Sequence, residues 1–380
     1  MPKVLAFNAE RRRRSAVNEG EARHDEVSPQ GKPQARRNAT VSPLFGATSD
    51  GVEAPVKVAV TVVVPTKGRP QLLNRCIASL VLQRFDPASF EIIIVDDGPS
   101  DDTREIVQSW SQHTEGSGPD VIYLPSMGPH GPAAARNLGW RAARGAIIAF
   151  TDDDTIARAD WLQNGLDAFD EHVDAVWGRI VMPLNGTPTD YELDAKGLEK
   201  AEFVTANCFC RKEMLESVDG FDERFRFAWR EDADLYFNLI SHSAHIVHAP
   251  NAVMTHPIRP AHWGVSLSQV KKVQFDALLF KKHPALYRQK IRAKPRWDFY
   301  LTVISMLVTA LAGLEGMMET AVIAALAWFF MTARFCARRL RNTSKKPSHV
   351  AEMIVTSVLI PPMAVFWRAV GAIKFRARLL

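Results

Sequence analysis

The chain has 380 residues, 47 Lys and Arg, 42 Asp and Glu and a formal charge of +5, enough for one large domain with appendages or two domains, and it excludes a small disulfide-stapled scaffold. Its four cysteines, Cys76, Cys208, Cys210 and Cys336, form neither a CxxC pair nor a dense pattern and suit a reducing compartment. Residues 1–55 carry nine Lys and Arg against seven Asp and Glu, residues 271–380 carry nineteen against five, and residues 56–270 are left at −11. The acidic middle argues against nucleic acid as a partner, whereas a basic tail interleaved with apolar runs points to membrane lipids.

Residues 1–55 mix Arg, Glu, Ser, Pro and Gly with few large apolar side chains. They are expected to be a disordered basic and polar leader, because too little surface is buried to offset ordering entropy. Met1–Glu10 lacks a long apolar core, so no secretory signal peptide is expected.

Order is expected from Val58. The β-branched run Val58–Val64 reads as a strand buried on both faces, and Pro65-Thr-Lys-Gly-Arg-Pro70 as the turn that closes it. Gln71–Arg84 places Leu72, Leu73, Cys76 and Leu80 at helical spacing. Glu91–Gly98 is a second buried strand ending in Asp96 and Asp97, and Ser100 caps a helix reaching about Gln112. A short strand at Val121–Leu124 precedes a helix over Gly131–Arg144, opened by Pro132, and Gly145 releases the chain into Ile147–Phe150. Strand and helix alternating at this rhythm predict an α/β fold with a parallel, doubly wound sheet. Ligands of such sheets sit beyond the carboxyl ends of the strands, where Pro65–Pro70, Asp96–Asp97 and Asp152–Asp154 all fall.

In an extended chain Asp152 and Asp154 point one way and Asp153 the other, so Asp153 is expected to tolerate substitution best. Two convergent carboxylates suit magnesium, which takes one or two carboxylates plus substrate phosphates; an acidic turn without metal is the plain alternative. Farther on, Trp161–Phe169 reads as a helix, Ala175–Met182 as a strand, Pro183–Lys200 as a polar loop and Phe203–Cys210 as a strand, with Cys208 and Cys210 in the core. Glu231 and Asp232 open an amphipathic helix, where Asp232 is either a cap or a functional carboxylate. His242, His245 and His248 lie where a strand would scatter their rings, whereas His256 follows the apolar run that ends the acidic region.

Five segments in this order, Val64-Pro-Thr-Lys-Gly-Arg-Pro70, Ile94-Val-Asp-Asp-Gly-Pro-Ser-Asp101, Gly131–Gly139, Phe150-Thr-Asp-Asp-Asp154 and Gly220-Phe-Asp-Glu223 with Arg230-Glu-Asp-Ala-Asp-Leu235, resemble the family 2 glycosyltransferases. The resemblance covers roughly residues 58–257. It implies a Rossmann-like, mostly parallel sheet flanked by helices over 56–260 and inverting transfer from a nucleotide-sugar donor, UDP-sugar favoured. It further implies donor-binding roles for Pro65, Thr66, Arg69, Asp96, Asp97, Arg136 and Asp153, and Mg2+ or Mn2+ held by Asp152, Asp154 and His256. Asp232 would be the general base and Glu231 would help orient the acceptor hydroxyl. The Gln-x-x-Arg-Trp signature of processive synthases is broken, since Ala293 follows Gln289-Lys-Ile-Arg292, which favours transfer of a single sugar. A nucleotidyltransferase is the alternative enzyme, but it would want a glycine-rich phosphate loop and Pro65–Pro70 has one glycine; a non-catalytic membrane scaffold retaining the fold is the other.

Residues 261–296 are expected to form a basic amphipathic segment, either on an anionic membrane surface or as an ordinary surface helix covering the catalytic domain. Residues 297–333 then form an apolar hairpin, and residues 350–373 a re-entrant or interfacial stretch broken at Pro361-Pro362, making a C-terminal α-helical membrane-associated region. Lys294 and Arg296 before the hairpin and Arg334, Arg338, Arg339 and Arg341 after it put both ends, and the catalytic domain, on the cytoplasmic face of an inner or plasma membrane. The tail suggests a lipid-linked or envelope glycan acceptor.

Overall fold

The computed structural model describes residues 58–378; the leader expected over residues 1–55 lies outside them. Eight strands form one sheet: β1 Val60–Thr66, β2 Phe90–Asp96, β3 Asp120–Pro125, β4 Ile147–Phe150, β5 Ile156–Ala157, β6 Ala175–Val181, β7 Cys208–Arg211 and β8 Ile246–Thr255. Their order is β3-β2-β1-β4-β7-β6-β8-β5. The first four in that order are parallel, β7 runs antiparallel to both β4 and β6, and β8 is parallel to β6. Reversing direction twice leaves β6 and β8 aligned with β4. The carboxyl ends of β1, β2, β4 and β8 therefore share one edge of the sheet, and the residues that follow them are brought together there.

The strands are apolar throughout because helices cover both faces. Val60, Val62, Val64, Ile92, Ile94 and Ala149 face a core shared with α1 (Pro70–Val81), α2 (Asp101–Thr114) and α4 (Trp161–Leu166). Val63, Ile93, Val95, Ile148 and Phe150 face the opposite core, shared with α3 (Pro132–Ala142), α6 (Lys212–Ser217) and α7 (Glu231–Ser241). This is the period-2 alternation of a pleated strand, filled on each side. At Gly139, α3 lies so close to the sheet that an added Cβ would stand 2.4 Å from Val63 Cγ1. Close approach, not a turn, demands glycine there.

Two stretches differ from the sequence reading. Within the expected loop Pro183–Lys200, α5 forms over Asp190–Ala195 and runs into a 3-10 turn at Lys196–Lys200. Its start is a capping box: Thr189 accepts from the Glu192 amide and Glu192 accepts from the Thr189 amide. The strand expected over Phe203–Cys210 is confined to β7, because Phe203 takes a left-handed φ of 52° and stacks on Tyr236 with centroids 5.3 Å apart.

Beyond β8, residues 261–296 are a series of short pieces rather than a single amphipathic helix. α8 (Val265–Val270) leads through a 3-10 turn to α9 (Gln274–Lys282), then a turn at Pro284–Leu286 and a π turn at Tyr287–Ile291. Gln274 to Phe280 of α9 are all buried. One side of α9 packs with Phe225 and Phe237, and the other meets the C-terminal helix α12 (Pro347–Lys374), whose Gly371 has no room for a Cβ against the Gln274 carbonyl.

α10 (Trp297–Leu314), α11 (Met318–Leu340) and α12 are each long and apolar enough to cross a membrane. They leave Leu301, Ile304, Leu311, Ile323, Phe329 and Phe330 exposed, more contiguous apolar surface than water tolerates. α12 is one helix straight through Pro361 and Pro362; the expected break is absent, and Ile360, Pro361 and Ala364 are buried where the prolines forgo backbone bonds. α12 is held along its length to the segment before α10. Near its start, Trp263 donates to the Ser348 carbonyl at 3.3 Å and the Gly264 amide to Glu352 at 2.8 Å. At its end, Arg368 reaches Asp276 at 3.3 Å and Lys281 donates to the Phe375 carbonyl at 2.9 Å.

Candidate active site

A turn follows β4, closed by the Thr155 amide on the Asp152 carbonyl at 3.2 Å. Asp152 turns to the α3 side, where Arg136 donates to its Oδ1 at 2.7 Å. Asp153 turns to the α1 side and is fully buried, with Thr66 Oγ1 donating to its Oδ2 at 2.7 Å. Arg69 stands 3.0 Å from Asp153 Oδ1 without hydrogen-bond alignment. Asp153 therefore ties β4 to the end of β1 and is not the tolerant residue that exposure of its face would have allowed. Burial pushes its carboxyl up to about 6, against the pull of Arg69 and Thr66.

Asp154 meets the residues that follow β8. His256 Nε2 lies 3.5 Å from Asp154 Oδ1, Arg259 Nε 3.0 Å from Oδ2, and Arg69 3.7 Å away. Asp152, Asp154 and His256 each offer a ligand atom within 4.8 Å of the others. Two carboxylate oxygens and an imidazole nitrogen are a donor set that fits Mg2+ or Mn2+. Burial raises the Asp152 carboxyl, but the Arg136 charge, with His256 and Arg69, outweighs it and holds Asp152 below the usual range.

Arg136 is the hinge of the arrangement. Buried in α3 and capped by the Phe221 ring at 5.7 Å, it donates with one nitrogen to Asp152 and with the other to Glu231 Oε1 at 3.2 Å. The acidic turn after β4 and the start of α7 are thus joined through one guanidinium. Glu231 Oε2 is buried without a hydrogen-bond partner. Burial and the adjoining Asp232 charge push Glu231 up to about 7 against the pull of Arg136. Asp232 is raised by burial, opposed by the Ala233 amide and Arg230. Its Oδ1 accepts from the Ala233 amide at 2.7 Å, a local bond that is no N-cap, since Arg230 occupies that position.

At the end of β2 the two carboxylates have different surroundings. Asp96 is fully buried and accepts from the Gly98 and Ser100 amides and the Tyr123 hydroxyl, so it shapes the turn. Asp97 accepts from the Gly131 amide at 3.0 Å and meets Lys67 and His130 at 3.1 Å. Gly131 holds φ 126° and lies against the Arg226 backbone, which leaves no room for a side chain. Pro65 lies inside β1, paired with Val95. The sequence reading missed Lys67, His130 and Arg259. Arg259, three residues past His256, carried a signal in that spacing; the other two become neighbours only through the fold. His242, His245 and His248 do not converge: His242 Nδ1 donates to the Asn238 carbonyl at 2.9 Å and His248 stacks on Trp177 at 3.8 Å.

Arg230, immediately before Glu231, holds a left-handed φ of 78°. Its Nε donates to Asp276 of α9 at 2.7 Å and its guanidinium covers Trp229 at 4.5 Å. The anchoring of α7 continues at Asp234, which accepts from Lys282 at 2.6 Å and lies 3.0 Å from His283.

Ligands of open α/β sheets bind beyond the carboxyl ends of the strands, where this acidic cluster lies. The Glycosyl transferase family 2 model matches residues 61–220. Similar proteins include the validoxylamine A glucosyltransferase of Streptomyces hygroscopicus subsp. limoneus, 27% identical over 295 residues that cover 66% of this chain and 61% of that protein. The pre-mycofactocin glycosyltransferase of Mycobacterium tuberculosis is 30% identical over 216 residues, 53% of this chain and 43% of that protein. The GalNAc(5)-diNAcBac-PP-undecaprenol beta-1,3-glucosyltransferase of Campylobacter jejuni is 28% identical over 200 residues, 50% and 62%. The chain thus spans between 43% and 62% of the length of these relatives. Among solved structures, a mannosyltransferase from Pyrobaculum calidifontis in complex with GDP-Man and Mn2+ covers 85% of this chain and 89% of its own at 18% identity, with a TM-score of 0.49.

Proposed function

We propose that the protein is an inverting glycosyltransferase that moves a single sugar from a nucleotide-diphosphate donor, UDP-sugar favoured, to a lipid-linked or envelope glycan acceptor. The observation that carries this reading is the Asp152–Arg136–Glu231 connection, which sets a cluster suited to a divalent cation beside a pair of carboxylates with raised pKa. Asp152, Asp154 and His256 would hold Mg2+ or Mn2+, which supplies Lewis-acid stabilisation of the departing diphosphate. Asp97, with Lys67 and His130 beside it, faces the nucleotide, and Arg69 and Arg259 add positive charge where phosphates would lie. Asp232 takes the proton of the acceptor hydroxyl as that oxygen attacks the anomeric carbon, and a carboxyl raised by burial is a better base for the task. Glu231, fixed by Arg136, orients the hydroxyl. Direct displacement inverts the anomeric centre without a covalent enzyme intermediate.

The apolar exposure of α10 and α11, with basic residues at the outer ends of the hairpin and only Glu315 and Glu319 at its turn, supports a pair of spans that leaves the catalytic domain in the cytoplasm. The attachment of both ends of α12 to residues 263–281 supports an interfacial position for that helix. Metal-dependent thermal stabilisation by a panel of nucleotide sugars tests the donor assignment. A stabilising UDP-sugar that loses its effect in Asp154→Ala is expected; stabilisation unchanged in that variant contradicts the metal assignment.

A further inference from the structure

Ten buried side-chain polar atoms among the described residues lack a hydrogen-bond partner, and five belong to a single neighbourhood: Arg230 Nη2, Tyr287 Oη, Arg292 Nε, and Nε and Nη1 of Arg368. Asp276 is the acid at their centre. It already takes Arg230 at 2.7 Å and Arg368 at 3.3 Å. All the orphaned groups are donors, and each guanidinium carries a full charge. Tyr287, only 1% exposed, and Arg292 line a cavity of about 130 Å³ whose rim adds Arg288, Lys294 and Arg378. Among the described residues no carboxylate lines it. At about 30 Å³ per water, the space suits a group of several heavy atoms rather than a lone water. Burial and the neighbouring Arg296 and Arg368 charges push Arg292 down to about 10, which registers the same excess of positive charge.

We infer that this cavity is an oxyanion site for a phosphate group, and that its source is a lipid headgroup. Two buried donors left without acceptors, Tyr287 Oη and Arg292 Nε, in a pocket whose lining adds Arg288, Lys294 and Arg378, call for a compact polyvalent anion, and arginine is the side chain that grips phosphate oxygens in pairs. The placement identifies the source. Residues 292–295 lead directly into α10 and Arg378 follows α12, so the cavity opens where the apolar helices meet the rest of the chain. The site is separate from the proposed donor site: Glu231 turns to Arg136 while Arg230, one residue earlier, turns to Asp276.

The test uses the full chain in an uncharged, phosphate-free detergent. Thermal unfolding is followed with added phosphatidic acid, with diacylglycerol of the same tails, with inorganic phosphate, and with UDP plus Mn2+. Phosphatidic acid is expected to raise the midpoint and diacylglycerol to leave it unchanged. Arg292→Gln should weaken the phosphatidic acid effect roughly tenfold or more in apparent affinity, the scale of a charge-assisted hydrogen bond. Tyr287→Phe removes only a hydroxyl that has no partner, so the variant should fold as well as the parent without lipid and still bind phosphatidic acid more weakly. Stabilisation by inorganic phosphate as strong as by phosphatidic acid supports the oxyanion site and overturns the headgroup assignment. An equal rise with diacylglycerol, an undiminished rise in Tyr287→Phe and Arg292→Gln, or competition by UDP with Mn2+ each overturns the inference. Because these readings need no sugar transfer, they stand or fall apart from the proposed activity.

Discussion

Replacing Arg136 by Gln isolates the connection on which the proposed site depends. The guanidinium is buried and hydrogen-bonded to both Asp152 and Glu231, so its removal strands two carboxylates, one of them fully enclosed. Breaking a buried pair from one side costs about 3–5 kcal/mol, and at about 2–4 °C per kcal/mol for a domain of this size the midpoint should fall by on the order of 10 °C. The pH dependence gives the sharper signature. Glu231 is raised to about 7 in the folded protein, above its unfolded value, so its contribution to stability is present in full below the unfolded pKa and is lost as pH rises through about 7. Without Arg136 the main charge opposing burial is gone, and the loss deepens. The stability gap between parent and Arg136→Gln should therefore widen from pH 5.5 to pH 8.5 in metal-free buffer, as read by thermal unfolding. A gap that is constant over that range refutes the assignment of Arg136 as the charge that keeps Glu231 ionisable.

Three further outcomes follow from the same geometry. Asp153→Ala should destabilise the fold by about 1–3 kcal/mol, the scale of leaving a buried partner unsatisfied, because Thr66 loses its acceptor; denaturant unfolding within 0.5 kcal/mol of the parent contradicts this. The rate of sugar transfer should rise with pH through about 7 as Glu231 ionises beside Asp232, whose carboxyl burial also raises, and a flat kcat/KM profile between pH 5.5 and 8.5 contradicts the proposed Glu231–Asp232 pair. In a Cys336→Ser background, Met317→Cys at the α10–α11 turn should react with a membrane-impermeant maleimide only from the side opposite the catalytic domain. Labelling from the catalytic side contradicts the hairpin.

The parallel half of the sheet was legible because its strands are buried on both faces and read as apolar runs, and β1, β2 and β4 each ended visibly at a polar cluster. Asp152 and Asp154 meet His256 because a turn closed by the Thr155 amide on the Asp152 carbonyl follows β4, and two antiparallel steps bring β8 back to the direction of β4. The pattern could not report what Asp153 meets on its own face, and Thr66 and Arg69 reverse the tolerance expected of it. α5 was written in the sequence as Thr189 and Glu192 but masked by polar composition. α9 was misleading for the opposite reason: its Lys and Phe residues resemble a surface helix, while its burial comes from α7 and from α12, roughly 90 residues away at the Asp276–Arg368 contact. No local pattern contains such a partner.

The central claim is that Asp232 removes the acceptor proton in a donor site organised by Asp152, Asp154 and His256. The most direct measurement is transfer by the full chain and by Asp232→Asn, with donor binding followed beside it in the presence of Mn2+. Donor binding is expected within a few-fold of the parent and transfer reduced by roughly 10²–10⁴, the range of a positioned base. Near-normal transfer by Asp232→Asn with normal donor binding would contradict it.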